Sequence, residues 1–229
     1  MTKETSGAKF EVEIKTLLGS EEAAEAFRTK LAEHAASPSQ TAYTQLNHYF
    51  EGGDPQKLAA ALSPKLEAGD SEQLHTIAGG QNISVRTRQM DGQAYIVMKA
   101  SIGSDSSQNG VMRAEIEALV PGYTLEALDA EVLAAGYTYQ AKWSRTREEY
   151  SLGPVTVCLD KNAGYGYLAE FERVITDADA AETTKSQLLS LMGEMGLEEL
   201  PQDRLERMFS HYNQHWPEYY GTEKIFTIQ

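Results

Sequence analysis

Five stretches place charged side chains at alternate positions: Glu11-Val12-Glu13-Ile14-Lys15, Arg86-Thr87-Arg88, Arg113-Ala114-Glu115-Ile116-Glu117, Arg145-Thr146-Arg147 and Glu170-Phe171-Glu172. Lys99 and Asp160 stand alone in segments of the same character. Successive side chains of a strand point to opposite faces, so each stretch reads as a strand with charge on one face only. One such strand is an ordinary solvated edge, and cross-strand ion pairs account for a few of these charges at up to about 1 kcal/mol each. The whole set, seven acidic and seven basic residues in strands rather than loops, is harder to assign to solvent. Solvated faces mix Thr, Ser, Gln and Lys, whereas these positions repeat Glu-x-Glu and Arg-x-Arg.

Carboxylates gathered in a low-dielectric space are costly unless they hold a cation, and oxygen ligands without Cys or His suit Mg²⁺ or Mn²⁺. Arginines gathered in the same space call for an anion of high charge density, because their forked donors match phosphate oxygens, and lysines add point charges. A polyphosphate with its divalent metal meets both demands. The chemistry that follows is phosphoryl transfer, in which positioning and charge neutralisation carry most of the catalysis.

The elements that must position these residues alternate in a strand-rich order. A strand opens at Phe10, and a helix follows over Glu21–His34, with Ser20 as its cap and Ala23, Ala24, Phe27 and Leu31 as its apolar stripe. Ser37-Pro38-Ser39 ends that helix, Thr41–Glu51 reads as a strand, and Gln56–Leu66 and Ser71–Ile77 as helical pieces. Asn82–Met90 and Gln93–Ser101 form a hairpin around Asp91-Gly92. Residues 103–110 are a polar loop, Val111–Leu119 a strand, and Leu125–Ala135 a helix capped by Thr124 and stopped by Gly136. Strands over Tyr137–Tyr150, Val155–Asp160 and Tyr167–Thr176 precede helices over Asp177–Met195 and Gln202–Tyr212, and Lys224–Ile228 reads as a short strand or edge addition. About eight strands in antiparallel order predict an α+β fold: a closed, eight-stranded antiparallel β-barrel with a charged lumen and helices packed outside. Closure removes the edges that an open sheet would leave exposed.

Composition narrows the classes further. The 229 residues, 41% hydrophobic, suffice for one sizeable core, expected as a single domain with its motifs at 10–176 and a helical extension at 177–229. With 34 acidic against 20 basic side chains, the net charge of −14 argues against general nucleic-acid binding while leaving room for a local phosphate site. No apolar run reaches the roughly 20 residues that span a bilayer, the N-terminus does not read as a signal peptide, and Cys158 is the single cysteine. The expected compartment is the cytoplasm, with no membrane partner.

These residues resemble the CYTH superfamily, or triphosphate tunnel metalloenzymes. Glu11-Val12-Glu13-Ile14-Lys15 is similar to the family's Glu-x-Glu-x-Lys signature. The ordered series continues with Tyr49-Phe50, Arg86-x-Arg88, Lys99, Glu115-x-Glu117, Arg145-x-Arg147 before Tyr150, Asp160, Gly164-x-Gly166 and Glu170-x-Glu172. The resemblance implies a divalent metal, Mg²⁺ or Mn²⁺, on Glu11, Glu13, Glu170 and Glu172, with Asp160 as a further oxygen ligand. It implies a triphosphate on Lys15, Arg86, Arg88, Lys99, Arg145 and Arg147. Lys15, Glu115 and Glu117 take the catalytic roles, the two glutamates by holding a second metal or orienting the attacking group. Arg113 has no matching motif position and is expected only as a lumen residue. Glu51-Gly52-Gly53-Asp54 departs from the Asp-Thr turn of many members and leaves substrate choice open.

The activity implied is hydrolysis of a triphosphate (inorganic triphosphate, a nucleoside triphosphate such as ATP, or thiamine triphosphate). The alternatives are cyclisation of ATP to cyclic AMP and pyrophosphate, as in class IV adenylyl cyclases, and a binding module without turnover. His48 is a candidate to hold adenine at the tunnel mouth, against the commoner reading of a surface or core histidine. Trp216, Tyr219 and Tyr220 are expected to pack on the chain's own barrel, and the sequence leaves the oligomeric state open.

Overall fold

A computed structural model of the chain describes residues 10–34, 37–38, 42–101 and 113–228. The elements are β1 (Phe10–Gly19), α1 (Glu21–Glu33), β2 (Ser37–Pro38), β3 (Tyr43–Gly52), α2 (Pro55–Leu62), α3 (Ala68–Ala78), β4 (Gln81–Met90), β5 (Gln93–Ser101) and β6 (Arg113–Leu119). They continue with α4 (Leu125–Ala134), β7 (Tyr137–Leu152), β8 (Val155–Asn162), β9 (Gly166–Ile175), α5 (Ala181–Glu194) and α6 (Gln202–Tyr219). The polar loop expected at 103–110 lies outside the described residues, as does the side chain of Arg113.

Eight strands form one antiparallel sheet in the order β1-β9-β8-β7-β3-β4-β5-β6, and β2 adds a two-residue pairing to β7. The expected closed barrel is corrected here. β1 and β6 stand at the two ends of the strand order, and no backbone ladder among the described residues joins them. Side chains span the seam instead: Lys99 on β5 donates to Glu11 on β1 at 3.3 Å and pairs with Glu115 on β6 at 2.6 Å.

The period-two pattern decides which face is which. In β1, Phe10, Val12 and Ile14 are buried on the outer face, where α1 and α5 cover them together with Val157, Leu159 and Phe171. Ser20 caps α1 by accepting from the Ala23 amide, and Phe27 of that helix meets Phe171 at 5.9 Å. The outer faces of β4, β5 and β6 are covered by α2, α3 and α4 through Leu58, Leu62, Leu74, Ile96, Met98 and Leu128. Glu11, Glu13, Lys15 and their counterparts are thereby left on the concave side.

Two connections fix how the strands meet. Asp91 and Gly92 both adopt positive φ, the twist that a two-residue hairpin requires. The β8–β9 turn uses Gly164 and Gly166 at φ +88° and +75°. A Cβ on Gly166 would stand 2.2 Å from the Gly19 carbonyl oxygen, so the close approach of this turn to the end of β1 needs glycine. The tail docks at the same turn. Gly164 donates to the Lys224 carbonyl, Phe226 donates to the Gly164 carbonyl, and Ile225 forms a bridge, which bears out the short edge addition expected there.

α6 runs to Tyr219, past the expected end at Tyr212, with Pro217 in its last turn. Met208 and Tyr212 are buried against Ala141, Tyr165 and Leu168, and Trp216 and Tyr219 pack on the same cluster. Trp216, Tyr219 and Tyr220 thus lie on the chain's own sheet, as expected.

Gly166→Ala is expected to cost about 2 kcal/mol or more, a drop of roughly 4–8 °C in melting temperature. Gly69→Ala in α3, where nothing stands within 4 Å, should be neutral or slightly stabilising. Paired thermal melts check both.

Candidate functional site

All eight strands of the main sheet line one cavity of about 810 Å³. Fourteen charged residues face it: Lys15, Arg86, Arg88, Lys99, Arg145 and Arg147, against Glu11, Glu13, Glu115, Glu117, Glu149, Asp160, Glu170 and Glu172. Every residue expected to bind metal or triphosphate or to act in catalysis is among them; His48 is not, and the side chain of Arg113 lies outside the described residues.

The arginines lie on β4 and β7, on either side of β3. Arg88 donates to Asn47 at 2.8 Å and pairs with Glu117 at 2.6 Å. Arg86 donates to the Tyr49 hydroxyl at 2.8 Å and pairs with Glu115 at 3.1 Å. Arg145 donates to Gln45 at 2.7 Å and to Asp160 at 2.6 Å. Arg147 binds both oxygens of Asp160 at 2.7 Å and also reaches Glu170. Asp160 is fully buried with both oxygens taken by guanidinium groups, so the structure places it as the acid that holds two arginines.

Opposing electrostatic effects act on these groups. Burial disfavours the Arg88 cation, and the neighbouring Arg86 pushes its pKa down further. Burial alone would raise the Tyr49 phenol, but Arg86, Arg145 and Arg88 outweigh it and bring the phenol down to about 8. Both effects mark a positive region that an anion would relieve.

The acidic residues gather where β1 pairs with β9. Glu13 stands directly opposite Glu172, and Lys15 opposite Glu170. Like charges in register repel. Lys15 pairs with both Glu13 and Glu170. Burial counts against ionised Glu170, but Lys15 and Arg147 hold it well below the usual carboxylate range. Glu172 takes the opposite course. Burial and the charge of Glu11 raise it to about 8, while Glu11, next to Lys99, stays low. The burial and charge repulsion that raise Glu172 are what a cation here would relieve, so a hard divalent ion with oxygen ligands fits these carboxylates. Cys158 stands beside these carboxylates, its sulfur and one oxygen each of Glu170 and Glu172 within 4.8 Å of one another, and burial pushes its thiol up so that it stays protonated.

Several lining residues escaped the sequence reading. Tyr43 and Gln45 share the phase of Tyr49 on β3, and Glu149 and Trp143 that of Arg145 and Arg147 on β7. Extending the alternation through each strand would have found them. Phe209 and Asn213, which reach the cavity from α6, carry no such signal. His48 takes the core reading and not the adenine one. It faces away from the cavity, buried, with Asp129 at 2.7 Å and the Tyr220 hydroxyl at 2.8 Å, and Thr87 and Tyr139 donate to the same aspartate. It ties α4 and the chain end to the sheet and holds no ligand ring.

The model of the CYTH domain family matches residues 78–204, more than half of the chain. No curated protein matches the sequence. Among solved structures, a conserved hypothetical protein of Pyrococcus furiosus superposes with a TM-score of 0.59 at 20% identity, covering 86% of this chain and 98% of that one. A "putative adenylate cyclase" of Vibrio parahaemolyticus gives 0.58 at 16% identity over 89% and 99%. A chain of the Schizosaccharomyces pombe Mediator head module gives 0.50 at 12% over 81% and 95%. These likenesses concern the fold, and function is argued from the site.

Of the twelve tyrosines, Tyr49 is expected to ionise first, near pH 8. Tyrosinate absorbance should show this step in the wild type and lose it in Tyr49→Phe. Adding inorganic triphosphate should move the step upward, because the anion takes up the charge of the arginines. A wild-type titration without a step below about pH 9 would contradict the arginine environment described.

Proposed function

The chain belongs to the CYTH domain family, and we propose that it is a divalent-metal-dependent triphosphatase acting on a triphosphate bound in its charged lumen. The observation that carries this reading is the joint presence, around one cavity, of six cationic side chains and four glutamates on the paired strands β1 and β9, with Glu13 directly opposite Glu172. Either half alone would suit a simple anion or a simple cation. Together they suit a metal polyphosphate.

In this reading Arg86, Arg88, Arg145, Arg147, Lys15 and Lys99 bind the phosphate oxygens. Glu11, Glu13, Glu170 and Glu172 hold Mg²⁺ or Mn²⁺, which when bound neutralises charge on the phosphoryl oxygens. Asp160 leaves the ligand set and keeps Arg145 and Arg147 aimed into the lumen. When Arg86 and Arg88 turn to the phosphates, Glu117 loses its present partner and Glu115 keeps Lys99 alone. They are then free to orient a water in line with the terminal phosphorus and accept its proton. Lys15 offers positive charge to the leaving oxygen as the bridging P–O bond breaks. The Lys99–Glu11 bridge closes the lumen at the seam, in place of a backbone ladder.

Cyclisation of ATP is the second reading, favoured by the fold shared with the Vibrio protein. It uses the same charges with the 3′-hydroxyl attacking the α-phosphorus. Incubation with inorganic triphosphate, ATP or thiamine triphosphate and Mg²⁺ or Mn²⁺ separates the two. Phosphate release is the expected result, cyclic AMP with pyrophosphate would establish cyclisation, and no product from any of them would leave a binding module.

Glu13→Ala and Glu172→Ala should each lower metal-dependent turnover by at least about a hundredfold with an unchanged circular dichroism spectrum. Unchanged turnover would refute the metal assignment. Because Glu172 holds its proton below about pH 8, Mn²⁺ must displace it. Apparent affinity should therefore rise by up to about tenfold per pH unit between about pH 6 and 8 and level off above. Calorimetry in buffers of different ionisation heat should count about one proton released; a flat profile with no proton release would show that the pair binds no metal.

A further inference from the structure

The chain holds five histidines, and none of them lines the lumen. His48 has both ring nitrogens engaged, and His75 bonds the Ser63 hydroxyl at 2.7 Å. His34 stands alone at the end of α1. His211 and His215 differ: they lie one turn apart on α6, with ring centroids 4.4 Å apart and planes 24° apart. We propose that this pair is a second metal site, for a borderline transition-metal ion such as Zn²⁺, Ni²⁺ or Cu²⁺.

Helix geometry sets the pair. Side chains at i and i+4 project from one face, their Cβ atoms about 5–6 Å apart, which lets two imidazoles chelate one ion. Hydrogen bonding fixes which nitrogen is available. Nδ1 of His215 lies 2.8 Å from the His211 carbonyl oxygen. A carbonyl only accepts, so Nδ1 carries the proton and Nε2 keeps a bare lone pair. Metal-ligating histidines adopt this arrangement, donating one nitrogen to an acceptor such as a backbone carbonyl and presenting the other. Neither ring nitrogen of His211 makes a hydrogen bond among the described residues. Phe226 stands edge to face against its ring at 4.6 Å, and Tyr219 lies at 6.4 Å, so packing alone orients it. Both rings are half-buried, which limits their rotamers before an ion arrives.

The surroundings supply more. Glu218 falls on the same stripe of α6, one turn beyond His215, and is exposed. Its carboxylate can swing to the ion as a third ligand, and water completes a tetrahedron. Pro217 lies between, and its missing N–H leaves the Asn213 carbonyl without a helical partner. An ion on His211, His215 and Glu218 would clasp α6 across this weakened turn. Through Phe226, which packs on His211, the clasp also bears on the tail docked at Gly164.

Donor chemistry keeps this site apart from the lumen. Imidazole nitrogen favours Ni²⁺, Cu²⁺ and Zn²⁺, whereas the lumen carboxylates suit Mg²⁺ and Mn²⁺. The histidine site stands whatever the lumen binds.

Calorimetric titration of the full chain with Ni²⁺, with excess Mg²⁺ present to occupy the lumen carboxylates, tests the pair. One ion per chain is expected to bind. His215→Ala, and His211→Phe, which keeps a ring against Phe226, should each weaken binding about tenfold or more, while His34→Ala leaves it unchanged. Glu218→Ala should weaken it about three- to tenfold, and an unchanged affinity there would overturn the clasp across Pro217. With Cu²⁺, electron paramagnetic resonance of the wild type should show hyperfine coupling from two imidazole nitrogens, and from a single one in either histidine variant. No Ni²⁺ bound in the presence of Mg²⁺, full binding retained by both histidine variants, or a loss in His34→Ala equal to theirs would overturn the site. None of these results bears on triphosphate or Mn²⁺ binding in the lumen.

Discussion

Everything in the lumen depends on how fourteen charges, four of them buried, are paired with one another on the concave face. Ionised side chains in such a space are stable only with partners in good geometry. The centre of the arrangement is Asp160, fully buried and gripped by Arg145 and Arg147, with Glu170 joined to Arg147 on the other side. A deletion there would leave a guanidinium or a carboxylate buried without its counter-charge, which costs far more than the pair contributes. Around this centre the remaining charges are neutralised less completely. Arg88 is pushed down by burial and Arg86, Tyr49 is pulled down by three arginines, and Glu172 is pushed up by burial and by Glu11 beside it. The ligand-free lumen is thus a set of provisional pairings, each replaceable by a phosphate oxygen or a metal ion.

The outer layer makes that lumen possible. Because Phe10, Val12, Ile14, Val157 and Phe171 bury themselves under α1 and α5, and Ile96, Met98 and Ile116 under α2, α3 and α4, the opposite face of every strand turns inward. α6 does something different: it packs where lumen-facing residues such as Leu168 and Trp143 meet the tail, and so holds aromatic rings there. The buried His48–Asp129 pair, with Thr87, Tyr139 and Tyr220 all bonded to it, anchors the chain end on the outside. A histidine that looked available to a ligand in sequence is spent on this anchor.

Strands and lumen residues were legible because a period of two is a strong signal and the charges broke it the same way each time. Asp91-Gly92, Ser20 and Thr124 are local devices whose chemistry names the structure they make, and each sits where expected. Features set by long-range packing were not legible. β2 is two residues ending in a proline, too short for any periodicity. α6 continues through Pro217 because that residue falls in the last turn, where it removes one hydrogen bond, to Asn213, and packing of Trp216 and Tyr219 outweighs the loss. Closure depended on the seam between β1 and β6, which Lys99, Glu11 and Glu115 bridge with side chains and no pattern along the chain encodes. The role of Asp160 turned on two arginines reaching it from the neighbouring strand, a matter of register rather than composition.

The central claim is that the lumen is built for a cation and a polyanion at once. Thermal unfolding of the wild-type chain with Mn²⁺ alone, inorganic triphosphate alone, and both together tests it directly. Each ion alone should raise the melting temperature modestly, and the pair by more than the sum of the two. At about a hundredfold over the dissociation constant the shift should be on the order of 5–10 °C. A melting temperature that does not move with both ions present would contradict the account.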